Sequence, residues 1–172
     1  MQTIGQKLIV SPDGNLEFEE QVFKCALGRS GRGLKKTEGD GITPIGSWLV
    51  RRVLYRPDRL EKPVCKLPLQ ALSPGDGWCD DPEHGDYNQF VQLPHPASCE
   101  NLWRADHAYD LIVTLGYNDD PVVAGSGSAI FFHVAKDNYK PTEGCVAIRE
   151  EELLFILARL EPDCRMEILA ES

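Results

Sequence analysis

Long apolar runs are missing from this sequence of 172 residues. No stretch approaches the ~18 apolar residues that a membrane-spanning helix requires, so we expect no membrane partner. The opening residues, MQTIGQKLIVSPDG, lack the basic segment followed by an apolar segment that marks a secretory signal peptide. Together these two absences predict a cytoplasmic protein.

Positive charge is also in short supply. The chain carries 18 Lys and Arg residues against 27 Asp and Glu residues, a formal net charge of −9. Phosphate backbones repel such a protein, so we expect no nucleic acid as a partner. The hydrophobic fraction of 42% is typical of a globular protein, and the length predicts a single domain over residues 1–172.

Closely spaced cysteine pairs are absent. The six cysteines lie at positions 25, 65, 79, 99, 145 and 164, and no two of them form a C-x-x-C motif. In a cytosolic chain that needs no disulfides to hold its core, scattered cysteines are typically reduced and structural. At most one or two of them are expected to have a special role.

Short apolar segments separated by turn residues dominate the chain and predict a mainly β, β-rich α+β fold. The predicted strands are residues 6–10, 17–27, 47–56, 90–93, 109–117 and 129–135. Residues 28–46 and 57–88, rich in glycine, proline and charge, are predicted as long loops. One C-terminal helix is predicted near 150–160, since its leucines share one face and three glutamates occupy its first turn.

The segment FFHVAKDNYKPTEGCVAI, residues 131–148, has the strongest chemical signal. A predicted strand carries His133, a polar loop follows, and Cys145 opens a short apolar stretch. A cysteine nucleophile needs a base to take its proton, and imidazole does this near neutral pH. Gly144 leaves room for a carbonyl group, and the amides around Gly144 and Cys145 are candidates for an oxyanion hole. We predict a catalytic Cys145–His133 pair.

The stretch from Gly28 to Gly33 resembles a phosphate-binding loop, but Leu34 stands where that motif needs lysine. A nucleotide site is therefore not predicted. The cations here are Arg29, Arg32, Lys35 and Lys36, and they form either a flap that attracts an anionic substrate or a solvated loop. Arg29 and Lys36 are the substrate-binding candidates of this stretch.

Residues 78–88, WCDDPEHGDYN, bring a cysteine, a histidine and carboxylates close together. These residue types are zinc ligands, yet no second histidine lies at ligand spacing, so we expect no metal and interpret the segment as a substrate-lining loop. Its candidate substrate-binding residues are Trp78, Asp81, Tyr87 and Asn88.

His84, His95 and His107 are expected to be surface or structural residues. Arg149 either binds a substrate carboxylate or faces solvent, and Asp106 and Asp110 are candidates to orient His133.

Three motifs resemble the YkuD-type L,D-transpeptidase catalytic domain and together extend from about residue 5 to residue 169. The first is His133 followed by Thr142-Glu143-Gly144-Cys145-Val146. The second is residues 39–48, GDGITPIGSW, and the third is residues 78–82, WCDDP, with Tyr87-Asn88. The chain departs from the family pattern at Ala147, where many members have arginine, and at Val134, where many have glycine.

The resemblance implies a curved β-sheet or sandwich and cysteine acyl-transfer chemistry without a cofactor. Cys145 would be the nucleophile and His133 the base, with Gly144 and Cys145 forming the oxyanion hole and Thr142 shaping the substrate-binding loop. The implied substrate is a peptidoglycan stem tetrapeptide or muropeptide, whose L,D bond before the terminal D-Ala is attacked to give a thioester.

Among members of this family, a compact chain without an export signal most resembles the cytoplasmic L,D-carboxypeptidases of murein recycling, which transfer the acyl group to water. The alternative is an L,D-transpeptidase that forms cross-links or exchanges D-amino acids. A zinc peptidase that uses residues 79–86 and a non-catalytic muropeptide-binding module are the competing classes. The sequence does not predict the oligomeric state.

Overall fold

The structure is a computed structural model that describes residues 5–35 and 37–170. Its first elements are β1 (Lys7–Val10), β2 (Asn15–Phe18), β3 (Gln21–Lys24), β4 (Arg32–Gly33), β5 (Thr43–Pro44), β6 (Gly46–Tyr55), β7 (Leu69–Ala71) and β8 (Asp76–Cys79). The remaining elements are β9 (Phe90–Gln92), β10 (Cys99–Asn101), β11 (Leu111–Leu115), β12 (Phe131–Val134), a 3-10 turn (Asp137–Tyr139), β13 (Val146–Ile148), α1 (Glu150–Leu157) and β14 (Arg165–Ile168).

A nine-stranded sheet forms the body of the described chain. Its order is β13-β12-β11-β6-β14-β1-β2-β3, with β7 paired beside β6. Most neighbours are antiparallel, whereas β1 with β14, β6 with β7 and β12 with β13 are parallel. A register irregularity between Val113 and Leu115 interrupts the pairing of β11 with β6, and such bulges bend a sheet. The predicted mainly β class with one helix is confirmed.

The main core lies between this sheet and α1. Alternate residues of β12, Phe132 and Val134, are buried there with Leu153, Ile156 and Leu157 of the helix. The opposite face of β11 and β12 is also covered, because Ile112 and Phe131 belong to a second buried cluster. This part of the sheet is therefore apolar on both faces, which leaves little water around any polar group placed on it.

A small three-stranded sheet, ordered β10-β8-β9, supplies much of the second cluster. Trp78 of β8 packs its ring edge-on against Phe131, with 4.9 Å between the ring centroids. No helix in the described part of the chain is long and apolar enough to cross a bilayer.

Several predicted boundaries were wrong. Residues 17–27 form no single strand, because Glu19 and Glu20 both have positive φ and reverse the chain between β2 and β3. The predicted loops contain the short strands β4, β5, β7 and β8. The helix ends at Leu157, while Leu160 is still buried in the core beyond its end.

Candidate active site

Two adjacent parallel strands bring His133 and Cys145 to the same face. In the register of β12 with β13, His133 lies opposite Ala147, and Cys145 precedes Ala147 by two residues. Side chains two residues apart on a strand share a face, so Cys145 and His133 both point away from the α1 core. The same alternation places Phe131 on this face, two residues before His133.

The Cys145 thiol is held by the backbone of the start of β12 and of the segment just before it. Its Sγ–H donates to the Ala129 carbonyl oxygen at 3.2 Å, and Sγ accepts the Phe131 N–H at 3.3 Å. Only 6% of the residue is exposed. Burial, followed by the negative charge of Glu100, raises the pKa of Cys145 to about 12. The resting nucleophile is therefore a neutral thiol.

His133 is buried and neutral. Its Nδ1 lies 2.9 Å from the Val134 carbonyl oxygen, an acceptor, which assigns the proton to Nδ1 and a lone pair to Nε2. Burial lowers the pKa of His133 to about 4, against the opposing effect of the Val134 carbonyl. The Tyr109 ring packs edge-on against the imidazole, with centroids 5.2 Å apart. With the proton on Nδ1, the Nε2 lone pair can accept a proton near neutral pH.

Neither Asp106 nor Asp110 orients this imidazole. Asp110 pairs with Arg59 at 2.6 Å and with His107 at 2.6 Å, and Asp106 pairs with Arg104. The backbone carbonyl of Val134 takes the orienting position instead. Within residues 5–35 and 37–170 no hydrogen bond joins the Cys145 thiol to the imidazole, so proton transfer has to accompany attack on a substrate.

Thr142 and Gly144 shape the turn before Cys145. The Thr142 hydroxyl donates to the Cys145 carbonyl oxygen at 2.7 Å and accepts the Gly144 N–H at 3.1 Å. Gly144 has a φ of +136°, and a Cβ there would lie 2.8 Å from the Ile42 carbonyl oxygen. Since the Gly144 amide is already bonded to Thr142, the Cys145 amide is the better placed of the two predicted oxyanion donors.

Cys145, His133 and Thr142 line one cavity of about 400 Å³. Its charged lining residues are Lys35, Glu38, Asp80, Glu100, Arg104, Lys136, Lys140 and Glu143. Lys35 is paired with Asp40 at 2.6 Å. Among the described residues no acidic side chain forms an ion pair with Lys136 or Lys140, both of which are exposed. The cavity thus offers carboxylates inside it and two unpaired ammonium groups.

Sequence reasoning missed the wall formed by Glu100, Arg104 and Tyr109. The buried Tyr109 hydroxyl donates to the Glu100 carboxylate, and Arg104 lies over the Tyr109 ring at 5.0 Å from its centroid. Burial raises the pKa of Glu100, and the Tyr109 hydrogen bond opposes that change. These residues come from segments without a recognised motif, so no signal in the sequence assigned them to the site.

Trp78 and Asn88 lie behind the cavity rather than in its lining. Asn88 Oδ1 accepts the Trp78 indole N–H at 2.9 Å and the Ala129 N–H at 3.0 Å. Both residues are less than 10% exposed and line a separate cavity of about 210 Å³. Because the Ala129 carbonyl oxygen in turn accepts the Cys145 thiol proton, we interpret Trp78 and Asn88 as positioning residues for the nucleophile.

Tyr87, Asp81, Arg149 and Arg29 are also absent from the cavity lining. Tyr87 is buried and its hydroxyl donates to Glu38, which does line it. Asp81 accepts the Glu83 N–H in a local turn at 3.0 Å. Arg149 pairs with Glu151 at the start of α1. Arg29 pairs with the rim residue Glu143 at 2.9 Å, while Lys36 lies outside the described residues.

Residues 79–86 lie close to further potential metal ligands from elsewhere in the fold. The groups Cys79-His95-Cys99 and His84-Asp86-His95 each gather donor atoms within 4.8 Å of one another. The sequence alone does not predict these groups, because Cys99 and His95 come from a different strand and a different loop. None of these five residues lines the cavity at Cys145.

Comparison with known proteins identifies the family of this chain. The chain matches the YkuD family, the L,D-transpeptidase catalytic domain, over residues 5–168. Its structure is similar to the crystal structure of Mycobacterium tuberculosis L,D-transpeptidase 1, with 10% sequence identity and a TM-score of 0.45 over 96% of this chain and 60% of that one. No curated protein matches the chain at a significant level. Since the family match covers most of its length, the chain belongs to the YkuD family of L,D-transpeptidase catalytic domains, which are cysteine-dependent acyl-transfer enzymes.

Proposed function

We propose that this enzyme is an L,D-carboxypeptidase of murein recycling that removes the terminal D-Ala from peptidoglycan stem tetrapeptides. The observation that carries the proposal is one cavity in which a buried thiol, a neutral imidazole and two unpaired lysines lie together. The first two groups supply acyl-transfer chemistry. The lysines suit the carboxylate that ends the substrate.

The reaction begins with the Cys145 thiol and the His133 imidazole both uncharged. As Cys145 Sγ attacks the carbonyl carbon before D-Ala, its proton passes to His133 Nε2 and the carbonyl oxygen becomes an oxyanion near the Cys145 amide. Collapse of this intermediate breaks the C–N bond, and the imidazolium returns the proton to the D-Ala amine. Water then attacks the thioester and gives its proton to His133 Nε2. The C–S bond then breaks, that proton restores the thiol, and the new carboxylic acid of the tripeptide releases the second water proton to the solvent.

The charged residues of the cavity lining suit the carboxylate and the ammonium group of such a substrate. Lys136 and Lys140 are exposed and have no ion-pair partner among the described residues, so they are available to a D-Ala carboxylate. Asp80 lies on the same lining and can accept the ammonium group of a diamino acid side chain, whereas Glu143 is already paired with Arg29. An isolated surface charge contributes little, and several charges around one cavity contribute more.

Hydrolysis is favoured over transpeptidation by the room around the thiol. A transpeptidase has to bring a second stem peptide to the thioester, whereas hydrolysis needs only water. The cavity at Cys145 has a volume of about 400 Å³, within the range of a site for one small ligand. The second cavity, of about 210 Å³, does not include Cys145 in its lining.

A product assay separates the two reactions. The purified protein is incubated with a disaccharide tetrapeptide, with and without an excess of a second D-amino acid, and products are identified by mass spectrometry. We expect tripeptide and free D-Ala in both reactions, no activity in Cys145→Ala, and unchanged activity in Cys65→Ala, whose thiol does not line the cavity. Exchanged or cross-linked peptides as the main products would make the enzyme a transpeptidase.

Action in the cytoplasm is part of the proposal. It is supported by the six cysteines, all of which are free thiols, as is usual in a reducing compartment. Fractionation of cells that express the full-length native gene tests it directly. Recovery of the protein with a cytoplasmic marker is expected, and recovery with a periplasmic or wall marker would contradict it.

A further inference from the structure

The geometry points to a structural zinc site formed by Cys79, Cys99 and His95, outside the catalytic cavity. Cys79 and Cys99 lie directly opposite each other in the antiparallel pairing of β8 with β10. Directly opposed residues point to the same face of a sheet, with Cβ atoms about 5 Å apart. Their sulfur atoms and one donor atom of His95 lie within 4.8 Å of one another.

The surroundings of His95 are those of a metal-binding histidine. Its Nε2 lies 2.9 Å from Asp86 Oδ2, and its Nδ1 accepts the Ala97 N–H at 3.1 Å. The proton is therefore on Nε2 and the lone pair on Nδ1. Histidine ligands usually donate their other ring N–H to a carboxylate in this way, which fixes the ring and makes the ligating nitrogen more basic. On binding, Nδ1 exchanges the Ala97 amide for the metal.

The donor set selects the metal. Two thiolates and an imidazole are soft and borderline ligands, which favour zinc over magnesium or calcium. Zinc needs four ligands in a tetrahedral arrangement, so the fourth position falls to water. Each thiol gives its proton to the solvent as the Zn–S bond forms.

The position of the site indicates what the metal does. Cys79 is followed by Asp80 and Cys99 by Glu100, and both acidic residues line the catalytic cavity, whereas Cys79, His95 and Cys99 do not. Zinc bound here joins β8, β10 and the loop around His95, and so fixes the strands that carry two residues of the cavity wall. It has no contact with the reacting atoms, which separates this site from that of a zinc peptidase.

The test is a cobalt titration of the full-length chain, monitored by the thiolate-to-cobalt charge-transfer absorption. The Cys145→Ala background removes the catalytic thiol as a ligand. We expect one cobalt ion per chain and competition by zinc, with the absorption lost in Cys79→Ser and Cys99→Ser. Asp86→Ala should bind about 10–100-fold more weakly. Cys65→Ser is the matched control, because Cys65 belongs to neither group of metal-binding residues, and it should bind as its parent does.

A second measurement guards against variants that misfold. The thermal unfolding midpoint of the wild-type chain should rise with zinc and fall with a chelator, and the same additions should leave the midpoint of Cys99→Ser unchanged. Cobalt absorption that survives both cysteine substitutions would overturn the proposal. So would a Cys79–Cys99 disulfide that forms in the presence of zinc, or the absence of any bound cobalt. None of these outcomes depends on the carboxypeptidase activity.

Discussion

The Ala129 carbonyl oxygen accepts the Cys145 thiol proton at 3.2 Å, although Ala129 itself has a φ of +53°. A side chain in that conformation costs about 1–2 kcal/mol, and here the Asn88 side chain holds the backbone by accepting the Ala129 N–H. The nucleophile is thus positioned by a strained residue two residues before Phe131. This strain is stored beside the reacting atom.

Substitution of Ala129 tests this arrangement. Ala129→Gly relieves the strain, so we expect kcat and KM close to those of the wild type and a slightly higher unfolding midpoint. Ala129→Val adds a β-branched side chain at positive φ, so kcat should fall roughly tenfold or more while KM changes little, since a misplaced nucleophile affects chemistry more than binding. Equal kcat in the two variants would show that Ala129 does not position the thiol.

The pH dependence of kcat/KM follows from the uncharged state of Cys145 and His133. His133 in the folded protein gains its proton near pH 4, because burial lowers its pKa to about 4, and the imidazolium then cannot accept the thiol proton. We expect kcat/KM to stay nearly constant from about pH 8 down to about pH 5 and to fall below that. A half-maximal point near pH 6.5, the ordinary value for imidazole, would contradict the burial of a neutral base.

Gly144→Ala should destabilise the protein by more than an alanine at another glycine with positive φ. Its Cβ would lie 2.8 Å from the Ile42 carbonyl oxygen, at a φ of +136°. Gly125→Ala is the control, since its φ is +80° and no atom lies within 4 Å of the added Cβ. Conformational strain alone costs about 1–3 kcal/mol, so Gly125→Ala measures that cost and Gly144→Ala adds the steric clash. Equal unfolding midpoints for the two would contradict this account.

Lys136 and Lys140 should act on substrate binding through the terminal carboxylate. Replacing either by alanine is expected to raise KM roughly two- to fivefold, since an exposed charge pair contributes about 0.5–1 kcal/mol. With a tetrapeptide that ends in a carboxamide, the same substitutions should leave KM unchanged. Lys7→Ala is the control, because Lys7 lies on the distant strand β1 and pairs with Glu167 of β14. A loss equal for both substrates would exclude the carboxylate as the partner.

Local patterns in the sequence predicted the strands around the site. YDLIVTLGY and AIFFHVA are apolar runs long enough to specify β11 and β12, and the glycine before Cys145 marked the nucleophile. The strand β14 was missed, although it lies between β6 and β1 in the sheet. Its four residues alternate too briefly to give a signal, and its partners are distant in sequence.

The walls of the cavity were harder to predict than its catalytic pair. Trp78 and Asn88 lie in a recognisable motif, yet they are buried behind Ala129, since a motif does not say which side of a loop faces the substrate. Conversely, Glu100 of β10 lines the cavity because the three-stranded sheet packs against β12 through Trp78 and Phe131. Tyr109 lines it because its ring packs against Phe131 and His133. Such contacts depend on tertiary packing, which a single sequence does not specify.

The central claim is that Cys145 carries the acyl group, and intact-protein mass spectrometry of a rapidly quenched reaction tests it most directly. With a stem tetrapeptide, the account predicts an adduct equal to the substrate minus D-Ala, located on Cys145 by peptide mapping and removed by hydroxylamine. Cys65→Ala should form the same adduct and Cys145→Ala should form none. Release of D-Ala by Cys145→Ala at the wild-type rate, or an adduct on another residue, would contradict the account.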